Sequence, residues 1–189
     1  MLIKTILNYS PNFNSRKRNL NRIKFIIFHY TGMKKESRAI SRLTEIQPGV
    51  SCHYLIKNDG GIITMVPESY IAWHAGKSSW KNYKSLNKNS IGIEISNPGH
   101  QFKYKKFSNK QIISLLRLSK FLIRKYKINP KNILGHSDIA PDRKKDPGEK
   151  FPWKYLAKKK VGLWHSLTAQ KLKESRTLKV TKINKKIFL

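Results

Sequence analysis

Acidic side chains are scarce in this chain: 10 Asp and Glu stand against 40 Lys and Arg in 189 residues, a formal charge of +30 at pH 7. A field of that sign disfavours cationic partners and suits nucleic acid, acidic lipid or an acidic cell-wall polymer, without choosing among them. Cysteine is scarcer still. The single Cys52 excludes an intramolecular disulfide framework and reads as a small buried hydrophobe. No run approaches the roughly 18 apolar residues of a membrane span. Residues 1–7 are too short an apolar stretch for a secretory h-region, so the expectation is a soluble chain without an export signal, located in the cytoplasm, with periplasm or envelope as the alternative. Internal repeats are missing, and so is any helix-turn-helix or finger signature, which leaves specific nucleic-acid binding supported by charge alone.

What is present suffices for one core. At 39% hydrophobic residues the length fits one folded unit over residues 1–165, opening with a surface arm over residues 8–24. Residues 166–189 form a lysine-rich appendage too short for its own core, with a helix expected around residues 168–178. Residues 23–28 are apolar apart from Lys24, as in a strand covered on both faces and central in its sheet. A short helix fits residues 36–45. A hairpin fits residues 53–56 and 62–66 around Asn58-Asp59-Gly60-Gly61. Residues 67–89 read as a long ordered loop. Residues 90–96 alternate, with Ile91, Ile93 and Ile95 on one face and Ser90, Gly92, Glu94 and Ser96 on the other. Ser108-Asn109-Lys110-Gln111 has the form of a capping box for a helix that ends before Asn129-Pro130. A brief strand at residues 133–134 leads to Gly135-His136, and a turn or two of helix fits residues 153–159. The predicted class is α/β, with a central mixed sheet flanked by helices.

His29 ends the first apolar run, and residues 135–148 hold His136 and Asp146. Two imidazoles and a carboxylate make a complete three-ligand set for a catalytic zinc that keeps a fourth position for water, and the chain therefore reads as a zinc hydrolase. The same set also describes a non-haem iron site. Glu94, on a strand face otherwise lined by small residues, is the candidate to move a proton to and from water. His53 and His74 read as pocket residues, either substrate contacts, rival ligands, or hydrogen-bonded core and rim histidines. Trp73 and Trp80 either stack on substrate or pin their loop, and Asp138 and Asp142 suit capping or turns.

Jointly these pieces resemble a known family. Phe28-His29-Tyr30-Thr31, Ser51-Cys52-His53-Tyr54-Leu55-Ile56, Val66-Pro67-Glu68, Ala72-Trp73-His74-Ala75-Gly76, Ser90-Ile91-Gly92-Ile93-Glu94 and Gly135-His136 through Asp146-Pro147-Gly148, then Phe151-Pro152-Trp153, follow in the order seen in zinc-dependent N-acetylmuramoyl-L-alanine amidases of the AmpD/AmiD type. That family is related in fold to peptidoglycan-recognition proteins. The resemblance implies hydrolysis of the amide between N-acetylmuramic acid and L-alanine in peptidoglycan or anhydro-muropeptides. It also implies Zn2+ on His29, His136 and Asp146, Glu94 as the catalytic carboxylate and Lys144 as a cationic transition-state stabiliser. Substrate contacts are expected from His53, Trp73 and His74. The basic surface is a further candidate for contact with an anionic wall polymer or membrane. A peptidoglycan-recognition module that binds without turnover is the alternative.

Overall fold

The computed structural model describes residues 3–47 and 49–177. Among them, the first five strands are β1 (Ile6–Leu7), β2 (Phe13–Asn14), β3 (Phe25–Tyr30), β4 (Tyr54–Ile56) and β5 (Ile62–Thr64). The remaining strands are β6 (Ile71–Ala72), β7 (Ser79–Trp80), β8 (Tyr83–Lys84), β9 (Ser90–Ile95) and β10 (Ile133–Gly135). The helices are α1 (Glu36–Thr44), α2 (Asn109–Tyr126), α3 (His136–Ile139), α4 (Trp153–Lys158) and α5 (Ala169–Thr177). No helix among the described residues is long and apolar enough to cross a membrane.

Six strands form one sheet in the order β1-β5-β4-β9-β3-β10, in which only the β4–β5 hairpin is antiparallel. The mixed α/β class expected from sequence is thus the one observed. β3 is paired on both sides and its first five residues are buried, as its unbroken apolar run requires, although β9 and not β3 lies deeper in the sheet. The strand also runs through His29 to Tyr30, so His29 is held by a sheet register and not by a loop.

The two faces of the sheet are separated by strand alternation. Ile91, Ile93 and Ile95 of β9 join Ile26 and Phe28 of β3 in the larger core, under Leu115, Leu118 and Leu122 of α2. The other face packs Phe25 and Ile27 against Ala75, Leu86, Leu134 and Ile139, with Trp80 alongside. A register slip of one residue would exchange the faces and drive Glu94 into the larger core, so the isoleucine pattern itself specifies where that carboxylate points. Cys52 lies fully buried with Leu55, Ile63 and Met65.

The capping box of α2 is present: Gln111 N–H donates to Ser108 Oγ, and Ser108 N–H donates to the Gln111 side chain. Two expectations need correction. Residues 67–89 do not form a plain loop but carry β6, β7, β8 and a turn of 3-10 helix at Leu86–Asn89, because polar side chains such as Asn87 and Ser78 tie the backbone down locally. The arm at residues 8–24 is not merely superficial, since Ser10, Asn12 and Arg18 are buried and β2 pairs with β6. The helix expected at residues 168–178 is seen as Ala169–Thr177, and residue 178 lies outside the described residues.

Candidate metal centre

Three adjacent parallel strands deliver the site at their C-terminal ends. β3 pairs with β9 so that His29 stands beside Glu94, and β10 pairs with β3 so that Gly135 stands beside Phe28. His136 follows immediately as the first residue of α3, whose start is capped by Asp138 Oδ2 accepting from Gly135 N–H at 2.7 Å. Asp138 thus has the capping role expected of it. Asp146 arrives from the following loop, where its carbonyl accepts from Ser137 N–H at 2.8 Å. Crevices at the carboxyl ends of parallel strands are the usual place for ligands in such sheets.

His29 Nδ1 lies 2.9 Å from His136 Nδ1 and 3.0 Å from Asp146 Oδ2, and His136 Nδ1 lies 3.1 Å from the same oxygen. All three side chains are buried. Ligand atoms around a tetrahedral ion with bonds of about 2.0–2.1 Å would be separated by about 3.3 Å, so this triangle needs only a slight opening to hold one cation.

The proton inventory supports that fit. His136 Nε2–H donates to the Ala75 carbonyl at 3.2 Å, which leaves its Nδ1 as a lone pair. The Ser90 hydroxyl donates to the Leu86 carbonyl at 2.6 Å, so its oxygen accepts from His74 Nε2–H at 3.0 Å. His74 Nδ1 then accepts from His29 Nε2–H at 3.0 Å, and His29 Nδ1 is a lone pair as well. Two nitrogen lone pairs and a carboxylate oxygen therefore converge without a proton among them, an arrangement that a cation satisfies.

Burial, followed by the neighbouring His136, lowers the His29 pKa to about 4, so the ring is neutral at pH 7. Burial also pulls His74 well below its ordinary value. Burial alone would raise Asp146, but the closeness of the His136 and His29 rings outweighs it and holds the carboxyl below the usual range. Glu94 goes the other way. Burial and then the Asp146 charge raise it to about 8, against a downward pull from Lys144. Its Oε2 is sealed from solvent without a hydrogen-bond partner.

The centre opens into a cavity of about 1130 Å³ whose wall includes Glu94, Lys144, Trp73, His74, His136 and Asp146. Trp73 is 37% exposed there, with its indole N–H on Asn14 Oδ1 at 2.9 Å. His53 does not reach the wall. It is fully buried, with Nδ1 accepting from Gly92 N–H at 3.0 Å and Nε2 facing the Tyr70 carbonyl at 3.2 Å, so the substrate contact expected of it is replaced by a backbone-bracing position. Trp80 packs against the smaller core and pins its loop, away from the cavity wall. Asp142 is exposed.

Sequence reading missed Arg18 and Asn87. Arg18 Nε donates to the Glu68 carbonyl at 2.8 Å and its Nη1 to the Ser90 carbonyl at 2.7 Å, stitching the arm to the start of β9. Asn87 Oδ1 accepts from the His74 and Ala75 amides at 3.2 and 2.7 Å, fixing the backbone that carries His74. Neither had a local signal, because Arg18 sits in a basic stretch and Asn87 in a polar one.

Fold and centre together define an α/β protein with one buried His/His/Asp donor set beside an orphaned carboxylate. The profile described as N-acetylmuramoyl-L-alanine amidase, Amidase_2, matches residues 19–149, and the chain belongs to that family. It is 43% identical over 155 residues to N-acetylmuramoyl-L-alanine amidase AmiD of Escherichia coli K12, covering 76% of this chain and 55% of that protein. To 1,6-anhydro-N-acetylmuramyl-L-alanine amidase AmpD of Haemophilus influenzae it is 32% identical over 167 residues, 78% of this chain and 88% of that one. Among solved structures, E. coli AmiD in complex with anhydro-N-acetylmuramic acid-L-Ala-D-γ-Glu-L-Lys superposes with a TM-score of 0.73 at 38% identity, over 85% of this chain and 65% of the other. AmpDh3 of Pseudomonas aeruginosa, in complex with anhydromuramic pentapeptide, gives 0.72 at 34% identity, over 86% and 69%. The chain spans about half the length of the E. coli AmiD and AmpD proteins.

Proposed function

We propose that this protein is a zinc-dependent amidase that hydrolyses the bond between the lactyl group of N-acetylmuramic acid and the L-alanine of a muropeptide stem. The observation that carries this reading is the convergence of His29 Nδ1, His136 Nδ1 and Asp146 Oδ2 within hydrogen-bond distance of one another, beside a cavity whose wall includes His136, Asp146 and Glu94. Zinc, which His29, His136 and Asp146 would hold, would supply Lewis acidity toward the carbonyl and make hydroxide available near neutral pH. Nitrogen and carboxylate donors in a closed set of three suit that ion.

The chain's own groups do the rest. Glu94, ionised once the charge of a bound cation offsets the burial that raises it in the metal-free chain, takes the proton of the attacking water and passes it to the departing L-alanine amine, an effect worth about 10²- to 10⁴-fold. Lys144, half-buried on the cavity wall, opposes negative charge developing on the carbonyl oxygen. Burial of His29, His136 and Asp146 keeps bulk water away from the donors.

Substrate class follows from the charge of the wall. Lys34, Lys35, Arg38 and Arg42 line it from the α1 side, and Lys144 and Lys145 from the Asp146 loop, against the carboxylates of Glu94 and Asp146. The peptide bound in the AmiD complex carries a γ-linked D-Glu, whose α-carboxylate is free. A cationic cleft suits such a stem, and the anhydro-muramyl peptides bound in the AmiD and AmpDh3 complexes favour the anhydro-muropeptide over the alternative of intact polymer.

Mass spectrometry of an anhydro-muropeptide digest tests the reading. Release of free peptide with an L-alanine amino terminus is expected, abolished by a chelator and restored by zinc. Binding without release would leave a recognition module, and release insensitive to chelation would remove the metal from the scheme. Elemental analysis of protein purified without added metal separates zinc from iron.

A further inference from the structure

The motif Ser90-Ile91-Gly92-Ile93-Glu94 places three small or acidic residues on one face of β9, but only Glu94 is used by the proposed reaction. The other two meet His74. Ser90 Oγ accepts from His74 Nε2–H at 3.0 Å, while its own proton goes to the Leu86 carbonyl at 2.6 Å. Gly92 leaves the space the ring occupies: a Cβ there would lie 2.3 Å from His74 Cγ and 2.5 Å from Nδ1. Asn87 holds the His74 backbone amide from the opposite side at 3.2 Å. The ring is thereby locked with Nδ1 aimed at His29 Nε2, 3.0 Å away.

We propose that His74 is the positioning residue of the metal centre, which through the chain Leu86 carbonyl, Ser90, His74, His29 fixes the ligand His29 in its Nε2–H tautomer and so keeps the Nδ1 lone pair facing His136 and Asp146. The direction of the chain is set at its far end, because a backbone carbonyl only accepts. Ser90 must donate to it, and each later link follows. His136 has the equivalent brace in the Ala75 carbonyl, one residue from His74, so a single short segment orients both imidazole ligands. Outer partners of this kind are typically worth about 10- to 100-fold in metal affinity. His74 is therefore a support of the ligand shell, although it also borders the cavity.

The inference rests on the zinc reading above, and the test separates the two. Zinc dissociation constants are measured by chelator competition for the full chain and for His74→Ala, His74→Asn, Ser90→Ala and the His74→Ala/Ser90→Ala pair, with thermal melts of the metal-free proteins as a folding control. If the unsubstituted protein takes up no zinc, the metal reading fails. If it does, His74→Ala is expected to bind about 10- to 100-fold more weakly, and His74→Asn, whose amide oxygen replaces Nδ1 as acceptor, to recover most of that loss. Ser90→Ala is expected to weaken binding alone but to add nothing once His74 is gone. Unchanged affinity in His74→Ala, no recovery in His74→Asn, or an equal Ser90→Ala effect with and without His74 would each overturn the proposal while leaving the zinc reading intact.

Discussion

Replacing Glu94 by Gln should stabilise the metal-free protein against unfolding in a pH-dependent way while removing its activity. The fold raises the Glu94 carboxyl from 4.5 to about 8 by burial and by the Asp146 charge, so between those pH values the folded state holds a proton that the unfolded chain has released. Unfolding stability then falls with rising pH, by up to 1.36 kcal/mol per pH unit, from pH 4.5 until the folded group ionises near pH 8. At pH 7 the carboxyl costs about 3 kcal/mol relative to pH 4.5, as an order of magnitude. The amide introduced by Glu94→Gln does not titrate. Any constant cost of burying that amide cancels when slopes are compared, and every other group is shared. Urea denaturation in a chelator at pH 5, 6, 7 and 8 should show the variant gaining on the parent by roughly 1 kcal/mol per pH unit. Parallel pH profiles would refute the raised pKa and the burial argument behind it. Turnover of anhydro-muropeptide by zinc-loaded Glu94→Gln should fall by about 10²- to 10⁴-fold with zinc affinity within a few-fold of the parent.

Other substitutions probe separate parts of the molecule. His136→Ala removes one of three donors and should abolish stoichiometric zinc by elemental analysis, while Lys144→Met keeps zinc and lowers kcat by about 10²- to 10³-fold. Arg38→Ala/Arg42→Ala should raise KM for stem peptides with little change in kcat and flatten the salt dependence of kcat/KM, since both side chains line the cavity from α1 and neither belongs to the donor triangle. Glu68 accepts from Tyr54 OH at 2.5 Å and from Lys125 and Tyr126, joining α2 to the hairpin. Glu68→Ala strands those donors and should lower stability by about 1–3 kcal/mol in denaturant melts, without moving zinc affinity. Ser108→Ala, which deletes the α2 cap, should cost about 1 kcal/mol and a few degrees in Tm.

Local chemistry made much of this molecule legible before its coordinates. The Ile91, Ile93 and Ile95 alternation identified the open face of β9, and Ser108 with Gln111 identified the start of α2, because both signals act within a few residues. His29, His136 and Asp146 were recognisable as ligand types in a chain short of carboxylates. Their separation in sequence, however, is 107 residues between the histidines and 10 from His136 to Asp146. Only the β10–β3–β9 register brings them to one point.

The histidines show where sequence stops. His53 and His74 carry the same side chain and equal apparent claims on a pocket, yet His53 accepts from the Gly92 amide in the buried interior while His74 contacts the His29 ring at the cavity wall. Residue type and periodicity determined which chemistry the chain can perform and which strand faces carry it. Which imidazole joins the donor triangle, which borders it and which is merely buried was decided by tertiary packing, since hydrogen-bond direction and tautomer depend on partners such as Ser90, Leu86 and Ala75 that no local pattern specifies.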